Sequence, residues 1–209
     1  MKKYWLISLL SVVLLSGCVN YKQHESLKTE SNTLNSKAKT EVSNHTVSGT
    51  VIRVVDGDTV HVRVNGKDED VRILLTDTPE TVSPTKPVEP FGPKAHKFAE
   101  KMMPAGKKVK LEFDGPKRGK YNRLLAYVWI DGKDYNKLLL EKGLARYAYV
   151  YNPPYVHADE FKKAQAEAKK AGIGIWSING YVDSNGYNLT YACSWAKKHH
   201  YADHGCNNS

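Results

Sequence analysis

The pair Asn65-Gly66 stands between two runs in which apolar and polar residues alternate, and it limits what this chain can fold into more than any other feature. Before it, Val60, Val62 and Val64 alternate with His61 and Arg63; after it, Val71, Ile73 and Leu75 take every second place. Asn-Gly supplies the two positive-φ residues that a two-residue hairpin turn requires. A period of two puts the apolar side chains on one face of each strand. Upstream, Val47, Val51, Ile52, Val54 and Val55 form a further β-rich run that ends at the turn-forming Asp56-Gly57-Asp58. Residues 47–76 therefore read as a three-stranded meander.

Thr78-Pro79 ends the third strand, and residues 81–91, with Pro84, Pro87 and Pro90, read as an irregular loop. Gly92-Pro93 opens a helix through Met103, with proline early in the first turn, and Pro104 and Gly106 stop it. Val109, Leu111 and Phe113 alternate as a fourth strand, and Leu125 to Ile130 make a fifth. A short helix follows from Tyr135 to Lys142, stopped by Gly143. Tyr147, Tyr149 and Tyr151 alternate along an extended segment broken at Asn152-Pro153-Pro154. A third helix runs from about His157 to Ala171, with Phe161, Ala164, Ala168 and Ala171 on one face. Five strands with helices between and after them define an α+β class, and an OB-type five-stranded β-barrel with three helices fits the count.

The two ends have a different character. Lys2 and Lys3 precede an apolar run, Tyr4 to Leu15, too short for a comfortable membrane span. Residues 1–17 read as a signal peptide. Leu15-Ser16-Gly17-Cys18 resembles the bacterial lipoprotein box, which implies a lipid on Cys18 and an anchor on the outer face of the cell membrane; an ordinary signal peptide that happens to hold a cysteine, with secretion of the protein, is the alternative. Residues 18–45, rich in Lys, Ser, Asn, Thr and Glu, read as a flexible tether. The globular part is then 46–180, with an extension of unassigned role at 181–209. Cys193 and Cys206 in that extension read as a disulfide outside the cytoplasm; with His199, His200 and His204 they also offer zinc ligands. Asp183-Ser184-Asn185-Gly186 reads as a turn, or as a weak calcium loop.

Residues 46–180 carry 23 basic against 17 acidic side chains, a balance that suits a polyanionic partner as well as simple solubility. Within this basic domain Asp58 and Asp77 end neighbouring expected strands, and Glu80 follows three residues after Asp77. Oxygen-only sets of this kind suit hard cations such as calcium or magnesium, and the absence of cysteine between 46 and 180 argues against zinc. Arg72 and Arg123 can each give a phosphate two hydrogen bonds. Taken singly, the acids are turn formers and backbone caps, and the arginines are surface ion-pair partners.

Taken together they form a known pattern. Asp56-Gly57-Asp58-Thr59, then Arg72-Ile73-Leu74-Leu75-Thr76-Asp77-Thr78-Pro79-Glu80-Thr81, then Lys120-Tyr121-Asn122-Arg123-Leu124-Leu125-Ala126-Tyr127 resemble the staphylococcal nuclease (thermonuclease) family, and the likeness extends over roughly 46–178. The resemblance implies an OB-type barrel with three helices and calcium-dependent hydrolysis of DNA and RNA that leaves 3′-phosphate ends. It implies Asp58, Asp77 and the Thr78 carbonyl as calcium ligands, and Arg72, Glu80 and Arg123 as the catalytic trio. Lys86, Lys120, Tyr121, Tyr149 and Tyr151 take substrate-binding positions, and a monomer is expected. Asn122 departs from the glycine frequent in the family, but asparagine tolerates the left-handed backbone that such a turn uses. The 81–91 loop has more proline and fewer lysines than the family pattern. A barrel reduced to binding would normally lack one or more of the five acidic and basic residues, and all five are present; a structural lipoprotein in which the domain serves only as an adhesin is a third reading.

Overall fold

The structure, a computed structural model, describes residues 46–151 and 153–206. The expected signal peptide, Cys18 and the tether lie outside the described residues.

Three antiparallel strands come first: β1 (Thr46–Asp56), β2 (Thr59–Val64) and β3 (Lys67–Ile73). Asn65 and Gly66 take φ of 48° and 76°, so the hairpin closes between Val64 and Lys67 as the Asn-Gly pair dictates. Then come β4 (Thr76–Asp77), helix α1 (Gly92–Met102), β5 (Lys108–Glu112) and β6 (Leu124–Ile130). The sheet runs β3-β2-β1-β5-β6, and β3 also pairs in parallel with β6, Val71 opposite Leu124 and Ile73 opposite Ala126. That last pairing closes five strands into a barrel and leaves no free edge between them. Val60, Val62, Val71, Ile73, Leu111, Ala126 and Val128 lie in its core.

A two-residue strand, β7 (Lys133–Asp134), leads into α2 (Tyr135–Glu141), where the Asp134 side chain accepts from the Lys137 amide as an N-cap. β8 (Arg146–Tyr147) and α3 (Ala158–Lys170) follow. Phe161, Ala164 and Ala168, spaced along one face of α3, are its buried residues. The helices α1, α2 and α3 match the three expected. A fourth, α4 (Leu189–Lys198), lies in the C-terminal extension and corrects that count among the described residues; the Asn188 side chain caps it by accepting from the Tyr191 amide.

Two strand expectations also need correction. The third strand stops at Ile73, because Leu75 takes φ 58° while Leu74 and Leu75 bury their side chains. The chain restarts as β4 in a separate small sheet, with Thr76 opposite Tyr147 and Asp77 opposite Arg146. The alternating tyrosines do not form one strand through Tyr151, since Tyr149 takes φ 60° just beyond β8.

Candidate active site

The turn between β1 and β2 and the segment after β3 meet at one end of the barrel. Gly57 permits this approach: a β-carbon there would stand 2.9 Å from both the Ala95 β-carbon and Thr78 Oγ1. The buried Tyr135 hydroxyl of α2 donates to the Gly57 carbonyl at 2.8 Å and fixes the turn from below. Asp58 is thereby delivered to the neighbourhood of Asp77 and Thr78, and its Oδ2 accepts from the Thr78 amide at 2.8 Å.

Arg72 ties this group together. Its Nη2 lies 3.0 Å from Asp58 Oδ2 and 3.5 Å from Asp77 Oδ1, while Nη1 donates to the carbonyls of Thr76 at 2.8 Å and Ile73 at 3.1 Å. Burial works against the charge of Arg72, yet the Asp58 and Asp77 carboxylates hold its pKa above the usual guanidinium value. Asp77 feels the opposite balance: burial and the Asp58 charge push it up, against the pull of Arg72 and Arg146.

Glu80 is set by the loop that follows. Its Oε1 accepts from the amides of Thr81 and Val82, each at 3.2 Å, so in this state the carboxylate folds back on its own turn. The Glu80 amide donates to Glu89 Oε2 at 2.7 Å, and the Glu89 amide returns to the Glu80 carbonyl at 2.9 Å. Burial pushes Glu89 up to about 7. Asp56, which accepts from the Thr81 hydroxyl at 2.6 Å, is also pushed up to about 7, first by burial and then by the charge of Asp58. Two carboxyl groups that change charge near neutrality thus brace the turn carrying Glu80.

Arg123 borders the cleft just before β6, with a buried Nε that has no hydrogen-bond partner and a guanidinium 5.7 Å from the Tyr121 ring centre. Tyr121 and Asn122 before it take φ of 65° and 61°, so asparagine accepts the left-handed turn that favours glycine. Arg118 steadies this turn by donating to the Asn122 carbonyl at 2.6 Å while gripping both oxygens of Glu69. Tyr121 is 74% exposed, with the Lys120 ammonium 4.8 Å from its ring centre. Tyr149 and Tyr151 stack at 6.0 Å, and Arg72 lies 5.0 Å from the Tyr149 ring centre.

The cleft that these groups line measures about 800 Å³. All eleven site residues expected from the sequence border it: Asp58, Arg72, Asp77, Thr78, Glu80, Lys86, Lys120, Tyr121, Arg123, Tyr149 and Tyr151. Among the other residues that border the cleft, Glu89, Arg146 and Tyr187 escaped sequence reasoning. Arg146 donates through Nε to Asp77 Oδ2 at 2.8 Å, and Asn185, Gly186 and Tyr187 arrive from the C-terminal extension. Arg146 had a faint signal, its place just before the alternating tyrosines; in the extension the 183–186 turn was legible but its approach to the cleft was not.

Cys193 and Cys206 are joined by a disulfide, with an S–S distance of 2.10 Å, and so are not available as zinc thiolates. Asp183 Oδ1 accepts from the amides of Asn185 and Gly186, which makes 183–186 a turn. Among the described residues no three or more His, Cys, Asp or Glu side chains converge on a metal position.

A closed five-stranded barrel with helices packed around it, carrying carboxylates, arginines and tyrosines in one cleft at its end, defines an α+β protein of the OB-type nuclease architecture. The chain belongs to the staphylococcal nuclease homologue family, whose model matches residues 70–178. It is 50% identical over 143 residues to the SPbeta prophage-derived endonuclease YokF of Bacillus subtilis, covering 68% of this chain and 48% of that protein. It is 48% identical over 143 residues to the endonuclease YncB of the same organism, covering 68% of this chain and 67% of that one. The thermonuclease of Staphylococcus hyicus is 42% identical over 127 residues, covering 61% of this chain and 74% of its own length. The chain thus matches about half the length of YokF and about two thirds or more of the other two.

Proposed function

We propose that this protein is a calcium-dependent nuclease that hydrolyses phosphodiester bonds of DNA and RNA and leaves 3′-phosphate ends. One observation carries the reading: Arg72 bridges Asp58 and Asp77 in the same cleft that Arg123 borders with an unpartnered buried Nε. Family membership and relatives named as nucleases support it.

A hard cation fits the donor set. Asp58 and Asp77 supply carboxylate oxygens, the Thr78 carbonyl would add a third, and water would complete the shell. Burial and mutual repulsion that raise Asp77 are the strain a divalent ion relieves, and Thr78 Oγ1 is buried without a partner beside them. When bound, such an ion supplies positive charge to a phosphate oxygen.

The chain's own groups account for the rest of the chemistry. Arg72 and Arg123 hydrogen-bond the non-bridging oxygens, whose charge grows as water attacks phosphorus. Glu80 must leave its turn amides to orient that water and take its proton. The water oxygen bonds to phosphorus, the P–O5′ bond breaks, and the departing 5′ oxygen takes up a proton. The phosphate then stays on the 3′ side. Lys120 and Lys86 hold flanking phosphates, and Tyr121, Tyr149 and Tyr151 offer rings to bases or sugars. A monomer suffices for this site. Lipid on Cys18 would hold the enzyme at the outer face of the cell membrane, with residues 18–45 as its tether.

Digestion of single-stranded DNA with calcium, and then with excess chelator, tests the reading. Cleavage in calcium and none in chelator is expected; undiminished cleavage in chelator rules out the cation.

A further inference from the structure

Residues 181–206 lie beyond the span that the family model matches, yet Asn185, Gly186 and Tyr187 among them border the cleft. Tyr181 is fully buried and donates to the Pro90 carbonyl at 3.0 Å, anchoring the start of the extension. The turn at 183–186, closed by Asp183 and by a bridge between Val182 and Tyr187, then sends the chain back toward the site. Tyr187 packs against Tyr181, with ring centres 5.3 Å apart, and its hydroxyl donates to the Asp77 carbonyl at 2.6 Å.

That carbonyl belongs to the Asp77–Thr78 peptide unit. A peptide is planar, so its C=O and N–H point in opposite directions and turn as one body. The N–H end is the Thr78 amide, which donates to Asp58 Oδ2 at 2.8 Å. One peptide is therefore held at both ends: by Tyr187 from the extension, and by Asp58 from within the site. Arg146, whose guanidinium lies 5.8 Å from the Tyr187 ring centre, takes Asp77 Oδ2 at 2.8 Å and leaves Oδ1 on the side of Arg72 and Asp58.

We propose that Tyr187 is a positioning residue for the cation site: its hydroxyl fixes the Asp77–Thr78 peptide and so sets Asp58, Asp77 and the Thr78 carbonyl as one ligand set. This rests on the cation reading given above. The ring alone would secure the packing of the extension on Tyr181. The hydroxyl, aimed at the one peptide that links two of the ligands, does something packing does not require.

The test is calorimetric titration of the full chain with calcium, without nucleic acid, for wild type, Tyr187→Phe and Tyr191→Phe, alongside thermal melts in chelator. Tyr191 packs on Tyr181 in the same extension and serves as the control. Tyr187→Phe should weaken calcium binding about tenfold, the low end for loss of a group that orients a metal ligand. Tyr191→Phe should bind as wild type does. Asp183→Ala, which frees the turn that delivers Tyr187 but keeps the hydroxyl, should weaken binding in the same direction and guards against misfolding of the first variant. Wild-type calcium affinity in Tyr187→Phe overturns the proposal, whatever Asp183→Ala or the melts show. A wild type that binds no calcium overturns the cation reading and this proposal together.

Discussion

Replacing Arg72 by alanine should destabilise the metal-free protein markedly, and the structure says where the loss arises. The Arg72 side chain is 11% exposed and faces Asp58 at 10% and Asp77 at 14%. Removing one partner of a buried ion pair costs about 3–5 kcal/mol, because the remaining charge is stranded. Part of the network survives. Asp77 keeps Arg146, Asp58 keeps the Thr78 amide, and the Ile73 carbonyl keeps a contact from the Thr76 hydroxyl at 3.3 Å. The Thr76 carbonyl loses the Arg72 bond outright. The lower end, about 3 kcal/mol, is therefore expected. For a folded unit of this size that is a drop of about 6–12 °C in Tm. Melts should be run in chelator so that no cation substitutes for the guanidinium. Arg72→Lys, which keeps the charge but not the fork that reaches two carboxylates and two carbonyls, should fall between. If Arg72→Ala melts within about 0.5 kcal/mol of wild type, where ordinary surface changes fall, the buried network is not the one described.

Three other perturbations follow from the same geometry. Replacing both Cys193 and Cys206 by alanine opens a short loop whose closure contributes about 3 kcal/mol. Because the Val88 amide donates to the Ala202 carbonyl at 2.8 Å, exchange of the Val88 amide should quicken while that of Val62 does not; unchanged protection at Val88 would show that the extension does not hold the 84–88 loop. Glu89→Gln should alter the pH dependence of stability. With burial raising its pKa from 4.5 to about 7, the folded protein retains the proton that the unfolded chain releases, so wild-type stability relative to Glu89→Gln should be greatest below pH 4.5. The difference should fall as pH rises toward 7, by up to roughly 3 kcal/mol, and level off above; a pH-independent difference in urea midpoints refutes the assignment. Glu80→Gln should leave the melt near that of wild type, since an amide oxygen still accepts from the Thr81 and Val82 amides.

What could be read from the sequence was what short-range physics decides. The Asn65-Gly66 turn fixed the pairing of β2 with β3, and the Gly92-Pro93 and Gly143 signals bounded α1 and α2. The site residues were legible through their motif, and they do border one cleft. Features that depend on distant partners were not legible. The parallel pairing of β3 with β6 brings Val71 to Leu124, and no local pattern announces it. Arg146 meets Asp77 across 69 positions and Tyr187 meets it across 110. The alternating tyrosines looked like one strand because alternation cannot reveal a positive φ at Tyr149. In the extension the disulfide and the 183–186 turn were legible, but its role was not, because Tyr181 and Tyr187 find their partners, the Pro90 and Asp77 carbonyls, far away along the chain.

The central claim is that this cleft hydrolyses phosphodiesters with Arg123 as a transition-state partner. Single-turnover cleavage of a 5′-labelled oligonucleotide in calcium, by wild type and by Arg123→Ala, tests it most directly. The expected result is cleavage by wild type to fragments ending in 3′-phosphate, and a rate for Arg123→Ala lower by roughly 10²–10³-fold at an unchanged Tm, as for loss of one preorganised donor to developing charge. An Arg123→Ala protein that cuts at near the wild-type rate would contradict the account, and a wild type that binds the oligonucleotide without cutting it would reduce the protein to a binding module.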